Sequence, residues 1–451
     1  MSNTPITPKG TEPANILKLT VKSNVDDTDV SLLGSGSRPK IKYFESITMD
    51  SIKVECTFVD AGFSVDGKSV LEGLPLVGTE EVELKMEDNY ENEIKLEKKN
   101  ALYVNKVTPL IEETNRNLVN IRLVPEEVIR NEQGESRINI RMDGKISDHI
   151  KKIFEDYLKT EKKLDIEETS NNYNFIGNGR KSFYTLNWLS RLGIPSKDGK
   201  RGDTAGFLFF QTSEGYNFKS IDAMFAQKPK KSFVYNEHAD SQGTIPPGYD
   251  GKILMHSSEI LLDAQERLKM GAYQTRLVVF DPFNCAYDVI EQTAKEAKKG
   301  TTTGGKRLPQ LNEKFKFDDK VNATRTTFML LDTGSLPTGD TDEQIDKNAL
   351  ENFESQTVLN QAIRRYNQLY SVVETITIPG DFSLHAGDVI FIDFPSVKAE
   401  KDDEVDKESG GKYIISDLCH LVDAELGTFT KLSVVRDTVG RKGTPTQTES
   451  Q

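Results

Sequence analysis

Residues 411–437 read GKYIISDLCHLVDAELGTFTKLSVVRD, and the fold class follows from this stretch. Tyr413–Val422 and Phe429–Val435 are two apolar-rich runs on either side of the short polar turn Glu425–Gly427, the pattern of a β-hairpin. Cys419 and His420 are neighbours on the first run, so an extended chain sends them to opposite faces. Upstream, Val372, Glu374 and Ile376 lead into a Pro379-Gly380 turn, and Val389–Phe394 follows an Ala386-Gly387-Asp388 turn. Lys398–Gly411 is a charged, acidic insertion expected to be mobile. Before these strands lies the clearest helix, 357–370. Leu359, Ala362, Ile363, Tyr366, Leu369 and Tyr370 make one stripe, which puts Arg364, Arg365 and Gln368 on the other face.

The same period of two fills the stretch from Ile16 to Val124. Ile52, Val54, Cys56 and Phe58 alternate with Lys53, Glu55 and Thr57. Val82, Leu84 and Met86 alternate with Glu83, Lys85 and Glu87, and Val119, Ile121 and Leu123 with Asn120 and Arg122. Turns fall at Asp66-Gly67 and Glu87-Asp88-Asn89. Serial strands of this kind imply an antiparallel barrel or sandwich.

After Pro125 the period changes. Ser147 reads as the N-cap of a helix carrying Ile150, Ile153, Phe154, Tyr157 and Leu158. A second helix, Phe183–Leu192, holds the single tryptophan, Trp188, and stops at Gly193 and Pro195. Strands return at Phe207–Gln211, Thr275–Asp281, Ala286–Glu291 and Thr326–Asp332, while Lys295–Lys320 reads as an exposed loop. The two β-rich blocks show no residue-by-residue repeat.

A chain of 451 residues exceeds one ordinary core, so two to four domains are expected. No run of roughly 18 apolar residues is present to span a bilayer. Residues Met1–Pro5 lack a signal-peptide layout, which predicts a protein made in a cytoplasm. The net charge of −13 opposes tight binding of nucleic-acid phosphates. Cys56, Cys285 and Cys419 form no CxxC pair and are expected as buried free thiols.

The chemical motifs fail on inspection. Gly300, Gly305 and Lys306 spell G-x-x-x-x-G-K, but Arg307 stands where Ser or Thr must hold magnesium, and Leu308-Pro309 blocks the required helix. His256 and Glu259 would make a metal pair on a helix face, without a third ligand nearby. Arg201-Gly202-Asp203 reads as a polar loop. Neither G-x-S-x-G nor H-E-x-x-H occurs, and the 71 carboxylates single out no pair. No catalytic, cofactor-binding or metal residue is therefore assigned; no cofactor and no enzymatic activity are expected.

Two ordered sets of residues carry a resemblance. The first is Ile378-Pro379-Gly380-Asp381, Leu384, Ala386-Gly387-Asp388, the strand ending at Pro395, Gly411–Ile415, His420 and Leu432–Asp437. The second is Phe183–Leu192 followed by Gly206–Thr212 and Gly215-Tyr216-Asn217-Phe218. Together they resemble the baseplate central hub proteins of contractile-tailed bacteriophages, which are related to the hub part of VgrG spike proteins. The acidic insertion and the loop near residue 300 are larger than that pattern.

The resemblance implies a β-rich α+β, multidomain chain with two tail-tube-like antiparallel β-barrels and peripheral helical and β domains. It implies a homotrimer whose six barrels form a pseudo-sixfold ring between the hexameric tail tube and the trimeric spike. The first barrel would be 14–126 and the helix-containing insert 127–205. The second barrel would combine 206–240 with 356–440, leaving a peripheral domain at 241–355 and flexible tails at 1–13 and 441–451. Implied partners are the tail tube protein, the cell-puncturing spike, the tape-measure protein and neighbouring baseplate proteins, with DNA only in transit and no membrane insertion. The expected place is the virion tail, assembled in a bacterial cytoplasm. Rival expectations are a VgrG-like hub of a type VI or other contractile injector, a tail-associated cell-wall hydrolase, and a generic surface-binding module. The chain ends soon after Arg436 without needle-like repeats, which favours a separate hub over a VgrG-like spike.

Overall fold

The computed structural model describes residues 11–446 except 26–27, 35–36, 38, 61, 63–66, 75, 114–115, 197–204, 236–244, 261–262, 274, 283–284, 293–300, 308–311, 316–324, 332–334, 336–338, 345–354 and 396–404. The expected Asp66 turn residue, the Arg201-Gly202-Asp203 loop and residues 398–404 of the acidic insertion lie outside the described residues.

One 15-stranded sheet dominates the chain. Its strands are β1 (Asn15–Lys22), β2 (Asp29–Ser31), β3 (Lys40–Ser46), β4 (Lys53–Asp60), β5 (Glu81–Glu87), β6 (Glu93–Leu96), β7 (Leu102–Glu113) and β8 (Arg116–Pro125). They continue with β9 (Ser232–Val234), β10 (Gly251–Lys252), β11 (Met255–Ile260), β12 (Val372–Pro379), β13 (Val389–Asp393), β14 (Gly411–Asp423) and β15 (Gly427–Arg436). The alternation read from β4 holds: Val54, Cys56 and Phe58 face inward and are fully buried. Each such side chain taken from water contributes about 1.5–3 kcal/mol.

The topology contains a duplication that the residues conceal. In the N-terminal block the order of pairing is β3-β4-β8-β7-β5, and in the C-terminal block it is β11-β12-β15-β14-β13. Both sets occur in the same chain order, and every pair in both is antiparallel. A one-residue bulge even falls at the same point of each long hairpin, between Val104 and Lys106 on β7 and between Ile415 and Asp417 on β14. Beyond these five strands the blocks diverge, since β1 runs antiparallel to β5 whereas β9 runs parallel to β13.

Two closed barrels were expected, and the structure corrects this. Closure needs the first strand of a block to pair with its last, but β3 is taken by β14 of the other block. Asp417–Val422 pair in register with Ser46–Ile41, so the two blocks form one continuous sheet. Strand β11, expected in a peripheral domain, is the edge strand of the second block and pairs with β12.

A second core gathers Ile138, Ile150, Phe154, Leu186 and Leu189 with Phe207, Phe209, Tyr216 and Phe218. The hairpin Phe207–Thr212 and Gly215–Ser220, assigned above to the second barrel, thus forms its own three-stranded sheet with Leu164–Ile166. Ser147 does not cap its helix. Lys145 holds that position, and the Ser147 N–H instead donates to Thr169 Oγ1 at 3.0 Å. A third sheet sets Thr275–Asp281 between Ala286–Gln292 and Arg325–Leu330, with the helix Ser355–Leu369 against it. Its uncovered face carries Phe280, Tyr287, Val289, Phe328 and Leu330, all exposed. Cys56 is buried as expected, but Cys285 is exposed.

The segments expected as tails are tied where they are described. Thr11 is buried, its carbonyl accepting from the Thr428 N–H. Arg441 forks onto both oxygens of Asp393 at 2.8 and 2.9 Å, and Thr446 reaches Asp250.

Leu432 on β15 is fully buried in the principal core. Leu432→Ala is expected to cost about 2–5 kcal/mol through lost transfer energy and the cavity left behind. A lowered thermal unfolding midpoint, followed by circular dichroism, checks this.

Candidate functional site

The junction of the two blocks is built around a buried carboxylate. Strand β3 must place Glu45 inside because its register with β14 sets Glu45 opposite Leu418. Glu45 accepts hydrogen bonds from Tyr43 Oη at 2.5 Å, the Ser213 N–H at 2.8 Å and the Ala386 N–H at 2.8 Å, with His385 Nδ1 at 3.2 Å. One side chain of the first block thereby holds the 207–220 hairpin and the Ala386-Gly387-Asp388 turn of the second. Burial works against the Glu45 charge, but His385, Tyr43 and Ala386 hold the carboxyl below its usual range. Burial likewise opposes the His385 charge, and Glu45 outweighs it and raises the imidazole above its ordinary value. An open cleft beside this node is lined by Lys163, Asp165, Glu214, Lys230 and His385.

A second charged node corrects the reading of the long helix. Arg364, Arg365 and Gln368 were placed on its outer face, yet all three are buried, because the helix is covered on that side too. Arg365 donates to Asp437 at 2.5 Å, to Asp222 at 2.7 Å and to the Thr302 carbonyl at 2.7 Å. It thus joins the helix Ser355–Leu369, the helix Ile221–Ala226 and the end of β15. Burial raises the Asp222 pKa, opposed by the adjacent guanidinium.

Gly305 of the phosphate-loop-like motif and its neighbour Gly304 serve this node. The Gly304 N–H donates to Asp437 Oδ1 at 3.0 Å, and the Gly305 N–H to Thr438 Oγ1 at 2.5 Å. A Cβ on Gly304 would stand 2.8 Å from Arg436 Cγ and from Phe225 Cε1. These glycines are close-packing residues, and part of the loop read as exposed is inside. Gly300 lies outside the described residues.

His256 and Glu259 lie on the strand β11 and not on a helix. His256 Nε2 sits 2.8 Å from Glu374, and its ring centroid 4.5 Å from that of Phe394. Cys419 and His420 do take opposite faces: His420 is fully buried, bonded to Thr430 at 2.8 Å and pushed down to about 4 by burial. Half-buried Cys419 is raised to about 11 by the same cause. Among the described residues, no group of three His, Cys, Asp or Glu is placed to hold a metal, and no helix is long and apolar enough to cross a membrane.

The described residues form an extended sheet with two internal copies of one unit, pinned by buried charged groups. No family model and no curated protein matches the sequence. Solved structures do match its shape. The 43 kDa tail protein of prophage MuSo2 from Shewanella oneidensis aligns over 93% of this chain and 98% of that one, at 10% identity and a TM-score of 0.50. The tail protein from Neisseria meningitidis MC58 aligns over 93% and 96%, at 9% identity and a TM-score of 0.52. The E. coli c3393 protein, described as a component of the type VI secretion system, aligns over 94% and 79% at 8% identity and a TM-score of 0.42. The chain has the fold of phage tail proteins. At these identities the likeness is one of fold, and the expected resemblance agrees with it.

Replacing Arg365 by Met leaves Asp222 and Asp437 buried without their cation, a loss of about 3–5 kcal/mol for a broken buried pair. Denaturant unfolding of Arg365→Met measures it; an unchanged midpoint would contradict the node's role.

The Glu45–His385 pair makes stability depend on pH with two signs. Glu45, held below its ordinary 4.5, contributes fully above that pH and loses its contribution as pH falls through the folded-state value. His385, held above its ordinary 6.5, contributes fully below 6.5 and loses its contribution as pH rises through the folded-state value. The difference in thermal midpoint between the protein and His385→Gln should be largest between 4.5 and 6.5 and shrink on the alkaline side. A pH-independent difference would show that the imidazole acts by packing alone.

Proposed function

We propose that this chain is the central hub of a contractile tail baseplate, a structural adaptor between the tail tube and the spike. The observation that supports this most is the duplicated five-stranded unit within a chain that has the fold of phage tail proteins. Two units per chain let three chains present six, which matches a hexameric tube on one side and a threefold spike on the other. The hub is a homotrimer, and its central channel passes the tape-measure protein and DNA. A net charge of −13 suits a wall along which nucleic acid moves without adhering. The duplicated units are joined at Glu45, while the helical insert and the three-stranded sheet lie outside the duplication and meet neighbouring baseplate proteins. The assembled virion tail is its place of action. Its role is mechanical: the buried charged groups described above are spent on packing, with Arg365 on two carboxylates and Glu45 on four donors.

Light scattering on a sizing column tests this reading. The hub predicts a mass near three times 50.6 kDa over a range of concentrations. A strict monomer at every concentration, with or without a spike protein, would reject it.

A further inference from the structure

The junction inside the chain predicts the junction between chains. Within the chain, the distal half of β14 lies against β3: Cys419, His420, Leu421 and Val422 face Phe44, Tyr43, Lys42 and Ile41. In the duplication, β14 corresponds to β7 and β3 corresponds to β11. Aligning the shared hairpin bulge sets Ile415 on Val104 and Asp417 on Lys106. The neighbouring ladder obeys the same alignment, for Tyr413 and Ile414 pair with Ile390 and Val389 as Leu102 and Tyr103 pair with Val82 and Glu81. Carried through β4 and β12, it sets Ile41 on His256, because Ile41 pairs with Cys56 and His256 with Ile376.

Both counterpart edges lack a strand partner among the described residues. β7 pairs with β5 only at Leu102 and Tyr103, and from Lys106 onward its ladder runs to β8 alone. β11 pairs with β12 alone. Apolar side chains stand exposed along both: Leu110 is 53%, Ile111 52% and Met255 69% exposed. Rows of unpaired N–H and C=O groups flanked by apolar side chains are what strand addition consumes.

We infer that a second copy of this chain adds its β11 to the free edge of β7, antiparallel, with Thr108, Pro109 and Ile111 beside Ile260, Ser258 and Ser257 of that copy. The inference rests on the hub reading and supplies its residue-level contact. The occupant is a second copy because the contact continues a junction the chain already makes with itself, between counterpart strands. It is heterologous: each chain gives a β7 edge on one side and a β11 edge on the other, so the sheet passes from chain to chain and closes after three chains and six units. Pro109 has no N–H and removes at most one hydrogen bond from the ladder. The second bulge of β7 falls at Leu110, between Pro109 and Ile111, and that of β11 at Glu259, between Ser258 and Ile260, so the register passes over both residues.

Disulfide trapping in the full chain tests the contact, with exposed Cys285 first changed to Ser. Ile111→Cys combined with Ser257→Cys is expected to give covalent trimers on mild oxidation, and either single variant only uncoupled chains. Ile111→Cys with Tyr184→Cys, both exposed but remote in the repeat scheme, is the control and should give none. Amide exchange on the unaltered protein is the second measurement, independent of any variant's folding: residues 106–111 and 255–260 should both be protected in the oligomer. A trimer by light scattering with neither cross-link nor protection overturns this contact and leaves the hub reading standing. A monomer overturns both.

Discussion

The structure depends on the satisfaction of sheet edges. A strand edge is a row of N–H and C=O groups, and each left unpaired away from water costs as much as a lost hydrogen bond. In this chain the edge of the first block, β3, is satisfied by β14 of the second. The closed barrels that the resemblance implied give way to one continuous sheet for that reason. A block that lends its edge to a neighbour cannot also close on itself.

Two buried charged groups then hold the elements that the sheet brings together. Glu45 collects donors from both blocks and the 207–220 hairpin, and Arg365 collects carboxylates from the helix Ile221–Ala226 and the end of β15. Such nodes give modest net stability, since desolvation cancels much of the attraction. Their value is geometric. A misplaced hairpin or helix would leave a full charge unpaired, so each node admits one arrangement of three elements.

Much of the fold was legible from alternation. Lys53–Phe58 and Val119–Leu123 are strands where the period of two required them, and Tyr413–Val422 and Phe429–Val435 are the two arms of the expected hairpin. The helix through Leu359–Leu369 was legible from its stripe, but not the burial of Arg365, because a lone sequence does not reveal the carboxylates at 222 and 437 that await it. The duplication was hidden for a related reason. Equivalent positions share only inward or outward direction: Cys56 answers to Ile376, Lys106 to Asp417 and Ile41 to His256. Strand pairing and bulge position preserve what the side chains do not. The bulge itself is a backbone feature with no residue signature at Asn105 or Ser416. Gly305 shows the converse: it spells part of the rejected phosphate-loop motif, and the fold uses it, beside Gly304, for close packing.

The claim that unites these observations is that two sheet units per chain, joined as β3 to β14, are steps of a closed six-unit ring. Electron cryomicroscopy of the purified oligomer, reconstructed without imposed symmetry, tests it most directly. The account predicts three chains whose six sheet units alternate around one central channel, with sheet continuous between neighbours. A twofold assembly, or a trimer held only by its peripheral domains with the sheet units apart, would contradict it.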